Sequence, residues 1–208
     1  MAEAVPVSAF LSRVVVPEKL MSDRHGLHRA FWRAFPGRET GEAQPFLFRE
    51  EPYAPVSRGE VGYVVQSAGR PAWDEVLGLR VASCERVETT FRVGDRFFFR
   101  LLASPVRRLM HPDEIRQRHG TVRRASPRAW TEDWLRRRAA QGGFEIQELI
   151  FDLGQVKSRR GESRFKLASV QFDGLLEVTD PTVFASTWRC GIGTKRAFGF
   201  GLLSLKRA

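Results

Sequence analysis

The chain has 208 residues, of which 42% are hydrophobic and 11% aromatic, so it can bury a sizeable core and a disordered chain is excluded. It carries 34 basic and 24 acidic residues, a net charge of +10. Two widely separated cysteines permit one disulfide but do not indicate a disulfide scaffold, and no apolar run approaches the length of a membrane span. We therefore predict a reduced, cytoplasmic protein without a membrane partner.

The excess of positive charge is concentrated in three blocks of the second half. Residues 96–138 hold 12 Arg against 4 acidic residues, residues 157–166 hold 5 basic residues against 1 acidic one, and residues 189–208 hold 5 and none. Arginine dominates, and its planar fork suits phosphate contacts and stacking on bases. A solvated polyanion is the expected partner, with general solubility as the alternative.

The first half is predicted to begin with a buried strand and an amphipathic helix. Residues 9–16 are rich in β-branched side chains, which favours a strand. Ser22 and Asp23 are good N-cap residues for a helix that ends at Pro36 and Gly37. Its apolar residues share one face, namely Leu27, Ala30, Phe31, Ala34 and Phe35. We expect further strands at 46–48, 62–66 and 87–93, and a short helix at 73–79.

The second half is predicted to repeat this order. A strand at 97–102 leads into a basic loop over 105–126 and a helix over 127–141, which Gly142 and Gly143 end. Strands at 144–151 and 165–172 follow, joined as a hairpin by the Arg-rich connection 157–164. A helix at 181–189 and a last strand at 198–205 complete the chain. This order predicts an α+β protein of two tandem ferredoxin-like (RRM-like) domains, residues 1–94 and 95–208.

Two of the four histidines lie on the first predicted helix. His25, His28, Arg29 and Trp32 form a stripe distinct from the apolar face, with His28 at its edge. A half-buried histidine beside cations can have a pKa suited to proton transfer, although a helix histidine alone is more often a surface residue. No cluster of Cys, His, Asp and Glu surrounds this pair, so we predict neither a metal site nor a cofactor.

A glycine-rich segment lies near the C-terminus, with Gly191, Gly193, Lys195 and Arg196 at its start. It lacks the Gly-Lys-Ser/Thr ending of a Walker loop, and it leads into a strand where a dinucleotide fingerprint would open a helix. Free N–H groups and cations there could hold phosphates. The alternative is a tight turn that packs glycines against a sheet.

Four segments in order carry a resemblance to a known family. The ending GIGTKRAFGFGLLSL resembles the glycine-rich signature of CRISPR-associated repeat-RNA endonucleases. HGLHRAFWRAFPGR resembles the catalytic helix of their CasE branch, the processing subunit of type I-E Cascade, and FFFRLLASPVRR and FKLASVQFDGLLEVTDP resemble two strands of its second domain. This chain has His25 where the family often has Tyr, and the strand after Arg100 lacks an expected Arg and Asn.

The resemblance implies two ferredoxin-like domains that bind the hairpin of a CRISPR repeat RNA and cut it at its 3′ base. It implies metal-independent chemistry that leaves a 2′,3′-cyclic phosphate and a 5′-OH. The protein would then stay bound to the crRNA 3′ hairpin beside the other Cascade subunits. The catalytic histidine of the family falls on His28.

This chemistry needs a base, an acid and cations for the developing charge. His28 and His25 are the candidates for proton transfer, and Lys166 is the candidate for charge stabilisation. The candidates for RNA contact are Arg29, Lys157, Arg159, Arg160, Arg164, Arg107, Arg108, Gly191, Gly193, Lys195 and Arg196. A catalytically silent RNA-binding subunit of the same fold is the main alternative, and a nucleotide-binding enzyme is disfavoured by the missing Walker ending.

Overall fold

The computed structural model describes residues 4–18, 24–37, 43–51, 56–108, 123–125, 128–160 and 163–208. Within these ranges the chain forms two ferredoxin-like domains, each with a four-stranded antiparallel sheet. The N-cap candidates Ser22 and Asp23 lie outside the described residues. No helix in the described ranges is long and apolar enough to cross a membrane.

The first domain has one α-helix, and a short 3₁₀ turn takes the place of the second. Its sheet has the spatial order β2-β3-β1-β4. Its elements are β1 (Val5–Pro17), α1 (Arg24–Trp32), β2 (Phe46–Glu51), β3 (Glu60–Ser67) and β4 (Arg80–Phe91). The short helix predicted at 73–79 is only a 3₁₀ turn, Trp73–Glu75, because the backbone becomes extended at Val76 and left-handed at Gly78.

The helix α1 packs its predicted apolar face on this sheet. Leu27 and Phe31 are buried against Phe46 and Phe48 of β2 and Tyr63 of β3. The regular helix ends at Trp32, and tighter turns continue its path as far as Phe35. The i, i+3, i+4 spacing of apolar residues thus gave the correct buried face.

The second domain repeats the arrangement with two complete helices. Its sheet has the order β10-β5-β9-β8. The elements are β5 (Arg96–Ala103), a ribbon of β6 (Val106–Arg108) and β7 (Arg123–Ala125), α2 (Arg128–Gln141), β8 (Phe144–Arg160), β9 (Ser163–Val178), α3 (Pro181–Cys190) and β10 (Leu203–Arg207). The helix α3 begins where the Asp180 carboxylate accepts bonds from the main-chain N–H groups of Thr182 and Val183, both at 3.0 Å.

The predicted hairpin connection at 157–164 is wrong, because both strands continue through it. Lys157 pairs with Lys166 and Arg159 with Arg164, so only residues 161 and 162 separate β8 from β9. The dense charge of this segment suggested a loop. Alternating burial, with Val156 and Ser158 buried and Lys157 exposed, is instead the pattern of a strand.

Other predicted boundaries also need correction, among them those of the last strand and of the basic loop. The last strand was predicted from residue 198, but Arg196–Phe198 is a 3₁₀ turn, and the left-handed glycines Gly199 and Gly201 delay β10 to Leu203. The predicted basic loop contains the paired strands β6 and β7 at its two ends. Its remaining residues 109–122, including His111 and His119, lie outside the described ranges.

Buried polar side chains of the first domain join the two domains. Arg49 is 4% exposed and donates to the carbonyl oxygens of Arg100 at 3.1 Å and Leu202 at 3.4 Å. Gln66 donates from Nε2 to the carbonyl oxygen of Trp188 at 2.8 Å. A buried donor left without an acceptor is costly, so these bonds fix the relative placement of the domains.

Candidate functional site

The His28 ring lies among aromatic side chains at the surface of α1. It is half-buried, with ring centroids 5.5 Å from Phe46, 5.8 Å from Trp32 and 6.5 Å from Phe48. The exposed His25 ring stacks on it at 6.1 Å and 24°. The structure therefore brings the two predicted proton-transfer residues together.

Gln44, which lies just before β2, is a further polar neighbour of His28. His28 Nε2 lies 3.2 Å from Gln44 Oε1, and Gln44 Nε2 donates to the carbonyl oxygen of Phe46 at 2.6 Å. His28 Nδ1 is buried and has no hydrogen-bond partner among the described residues. Sequence reasoning missed Gln44, since a lone glutamine between helix and strand carries no recognisable signal.

The surroundings of His28 favour its uncharged form. Burial lowers the pKa of His28 below its ordinary value of 6.5, the hydrogen bond with Gln44 opposes this, and the nearby His25 lowers the pKa further. An imidazole that is uncharged at neutral pH can accept a proton. Among the residues with described positions, no group of three or more His, Cys, Asp or Glu side chains could hold a metal ion.

The start of α1 is fixed by a buried arginine. Arg24 is 7% exposed, forms an ion pair with Glu50 of β2, and donates from Nη1 to the carbonyl oxygen of Phe198 at 3.4 Å. The helix also lies close to the Arg196–Phe198 turn and to β8. The helix that carries the histidine pair is therefore held against the glycine-rich segment of the second domain.

Packing accounts for the two predicted glycines of that segment. Gly191 has φ +75°, and a Cβ there would lie 2.7 Å from the Gly201 oxygen and 2.8 Å from Leu47. Gly193 has φ +89° and lies against the ring of Trp134. The alternative of glycines packed in a tight turn thus describes the structure, and a phosphate-binding role for Gly191 and Gly193 stays a prediction.

The two basic residues that follow these glycines, Lys195 and Arg196, are partly buried. Lys195 has a left-handed backbone, and its Nζ donates to Ser104 Oγ at 2.8 Å. Arg196 belongs to the 3₁₀ turn beside α1. Lys195 therefore helps to hold the glycine-rich segment on β5, while contact of either residue with RNA stays a prediction.

The hairpin of β8 and β9 gathers cations on one face. The exposed side chains of Lys157, Lys166 and Arg164 occupy the same face, because directly opposed residues and those two apart share a side. Val156 and Ser158 alternate with them and are buried. Like charges directly opposite each other destabilise a sheet, so this face is suited to an anionic ligand. We call it the cationic face.

The other predicted RNA-contact residues lie on three elements. Ala103 pairs with Val170, and Ser104 Oγ donates to the Ala168 oxygen at 2.6 Å, so the β6–β7 ribbon with Arg107 and Arg108 begins beside the base of the hairpin. Arg160 pairs with Ser163 next to the hairpin turn. Arg29 is exposed on α1, immediately after His28. The two basic segments of the second domain thus project from the same end of its sheet.

Lys166 is not brought to the histidines by any described contact. It is exposed and belongs to the cationic face, whereas Val156 and Ser158 occupy the other side of the hairpin. The described ring contacts of His28 are with His25, Trp32, Phe46 and Phe48. A direct role of Lys166 in catalysis therefore stays a prediction.

The fold and the site define a protein of two ferredoxin-like domains with a half-buried helix histidine and a cationic hairpin. Residues 8–207 match the family described as "CRISPR associated protein". The protein "CRISPR system Cascade subunit CasE" of Escherichia coli K12 is 29% identical over 201 residues, which is 94% of this chain and 98% of that protein. The chain belongs to this family of CRISPR-associated proteins.

Two further comparisons concern a protein from Thermus thermophilus. Its "CRISPR-associated endoribonuclease Cse3" is 30% identical over 203 residues, which is 89% of this chain and 90% of that protein. The solved structure described as Thermus thermophilus Cse3 "bound to an RNA representing a pre-cleavage complex" is 27% identical, with a TM-score of 0.77, over 96% of this chain and 99% of that one.

Proposed function

We propose that this protein is an endoribonuclease that binds the hairpin of CRISPR repeat RNA, cuts at its 3′ base to give mature crRNA, and stays bound to the product beside the other Cascade subunits. The observation that carries the proposal is His28, an imidazole held uncharged on a helix that lies against the domain with the cationic face. The names of the CasE and Cse3 relatives support the same activity. Both cysteines are free thiols, which fits the reducing cytoplasm where such RNA is made.

The proposed reaction uses the RNA's own 2′-hydroxyl as nucleophile. His28 accepts the hydroxyl proton, the 2′-oxygen bonds to the adjacent phosphorus, and the bond from phosphorus to the 5′-oxygen breaks. His25, which stacks on His28, donates a proton to the departing 5′-oxygen. The products are a 2′,3′-cyclic phosphate and a 5′-OH, and no step in this sequence requires a metal ion.

The cationic face supplies the grip on the RNA. An A-form stem is recognised largely through its backbone and shape, and Lys157, Lys166 and Arg164 present their charges on one face of the sheet. Arg107, Arg108 and Arg160 would extend this grip, and Arg29 would contact the RNA next to the histidines. The main role of Lys166 in this proposal is to bind the RNA backbone. It also stabilises the developing charge if the scissile phosphate passes over the same face.

One observation favours a catalytically silent RNA-binding subunit. His28 Nε2 is engaged by Gln44, and Nδ1 is buried. An active enzyme must therefore expose a nitrogen of His28 when RNA binds. A silent subunit would bind the repeat equally well and leave it intact.

The test is cleavage of the organism's own repeat RNA by purified protein in EDTA, with both new ends mapped. We expect one cut at the 3′ base of the hairpin, a cyclic phosphate or 3′-phosphate on the 5′ product, and retention of that product. Tight binding without cleavage would identify the silent subunit. Cleavage that required added Mg²⁺ or Mn²⁺ would contradict the proposed chemistry.

A further inference from the structure

We infer that Gln44 is a positioning residue that holds His28 in the tautomer protonated at Nε2, so that Nδ1 is the nitrogen that accepts the proton of the RNA 2′-hydroxyl. The inference rests on the proposed function, in which His28 is the base. It adds a residue on a different segment of the chain and assigns the two ring nitrogens separate roles.

The hydrogen bonds of Gln44 determine which nitrogen of His28 carries the proton. A carbonyl oxygen can only accept, so the group 2.6 Å from the Phe46 oxygen must be the amide NH₂ of Gln44. The amide oxygen of Gln44 is then directed at His28 Nε2, 3.2 Å away. An amide oxygen is also only an acceptor, so Nε2 must be the donor. In the neutral imidazole the lone pair therefore lies on Nδ1.

The environment of Nδ1 fits a nitrogen that awaits a partner. It is buried and makes no hydrogen bond within the described part of the chain. A buried polar atom without a partner is costly and marks strain or a functional role. In many enzymes a third group binds one ring nitrogen of a catalytic histidine and so orients the ring, while the other nitrogen is left to accept the proton. The 2′-hydroxyl reaches Nδ1 once RNA binding displaces the side chains that cover it.

The charged and titratable groups around His28 lie on α1 and on the elements close to it. On α1 these are His25, Arg29 and Arg24, the last of which is paired with Glu50 of β2. The turn next to α1 carries Arg196, and β8, which also lies near α1, carries Glu145, Glu148 and Asp152 as well as Lys157, Arg159 and Arg160. The residues of β2 that touch the ring, Phe46 and Phe48, are apolar. Among these groups, the one that contacts a ring nitrogen of His28 is the neutral amide of Gln44.

The first test measures the tautomer directly in the intact protein. Long-range ¹H–¹⁵N correlation spectra of the histidine rings separate the two tautomers, and the His28→Ala variant identifies the His28 signals. We expect the wild type above the pKa of His28 to be protonated at Nε2, and Gln44→Leu to lose that preference. A wild-type ring protonated at Nδ1, or an unchanged tautomer in a folded Gln44→Leu variant, would overturn the inference.

The second test measures single-turnover cleavage at saturating protein across pH. Gln44→Leu should lower the maximal rate roughly 10- to 100-fold with unchanged RNA affinity, the range seen when the partner that orients a functional histidine is removed. Gln44→Glu keeps an acceptor for Nε2, so it should recover part of the rate. Its carboxylate should also raise the pKa of His28 and move the acidic limb of the profile to higher pH.

The two hypotheses fail in different ways. If His28→Ala cleaves at the wild-type rate, the proposed function of His28 is wrong. If His28→Ala is inactive while Gln44→Leu and Gln44→Glu both keep the wild-type rate and pH profile, His28 remains the base and only the role of Gln44 is wrong.

Discussion

Arg24 at the start of α1 donates to the main-chain oxygen of Phe198 at 3.4 Å, across 174 residues of sequence. The same guanidinium pairs with Glu50 in the first domain. The helix that carries His25 and His28 is therefore positioned by the glycine-rich segment of the other domain. Damage at this contact should affect both stability and cleavage.

We expect Arg24→Met to lower the free energy of unfolding by about 2–3 kcal/mol, because it leaves Glu50 unpaired and the Phe198 oxygen without its donor. Denaturant titration measures this loss. Arg29→Met removes the same charge from the exposed side of α1 and should change stability by less than about 0.5 kcal/mol. Equal unfolding midpoints for the two variants would contradict the anchoring role of Arg24.

His28→Ala should leave RNA binding near normal and lower the single-turnover cleavage rate by at least ~100-fold, as expected for a lost acid or base. His25→Ala should cost less, and His25→Tyr should recover part of the loss, because the family often has Tyr at this position. Rates at saturating protein test both expectations. Cleavage by His25→Ala at the wild-type rate at every pH would show that His25 is only a surface residue.

The acidic limb of the rate profile should lie below pH 6.5, because burial lowers the pKa of His28 and a base must be uncharged to act. His25→Ala removes a neighbouring charge that also lowers this pKa, so the limb should move to higher pH. A limb that stays in place or moves to lower pH would mean that His28 is not the titrating base.

The lowered pKa of His28 also determines how this residue changes the free energy of unfolding with pH. Its folded-state pKa lies below the unfolded value, so its contribution is complete above the unfolded pKa and is lost as pH falls through the folded pKa. The free energy of unfolding, measured against pH for wild type and His28→Ala, should therefore diverge least at acid pH.

Replacing Lys157 and Lys166 together by Gln should weaken binding of the repeat hairpin and reduce its salt dependence, since each neutralised phosphate releases counterions. The free protein should become no less stable, because a repulsive cross-strand pair is removed. Arg137→Gln with Arg138→Gln on α2 removes the same charge elsewhere and is the matched control. Equal losses of affinity in the two double variants would show that only net charge matters.

Gly191→Ala should destabilise the protein by about 3 kcal/mol, because the new Cβ meets the Gly201 oxygen and Leu47 at a left-handed position. Gly69 has ordinary backbone angles and open space around it, so Gly69→Ala is the control and should be nearly neutral. Thermal unfolding distinguishes the two. A stable Gly191→Ala variant with weakened RNA binding would instead support the phosphate role predicted for this glycine.

Periodicity and capping were sufficient to predict the elements that support the site. The spacing of Leu27 and Phe31 gave the buried face of α1, and Gly142 with Gly143 gave the end of α2. The length of the hairpin could not be predicted in the same way, because the run of basic residues that begins at Lys157 obscures the alternation with Val156. Pairing with the neighbouring strand decided the structure there.

The contacts that complete the site could not be predicted from the sequence. Arg24 and Arg49 are among the buried residues, although arginine in a sequence is ordinarily read as exposed. Gln44 reaches His28 across sixteen positions through a segment without a periodic pattern. Such partners follow from how the domains and loops pack, which one sequence does not specify.

Four of the hydrogen bonds between the domains end on main-chain oxygens of the second domain, at Phe198, Arg100, Leu202 and Trp188, and their donors are side chains of the first domain. A carbonyl is the same whatever residue carries it. The second domain is thus free to diverge at the acceptor positions during evolution, provided that its backbone path is kept. Arg24, Arg49 and Gln66 donate from their side chains, so a substitution at any of these positions removes a bond between the domains.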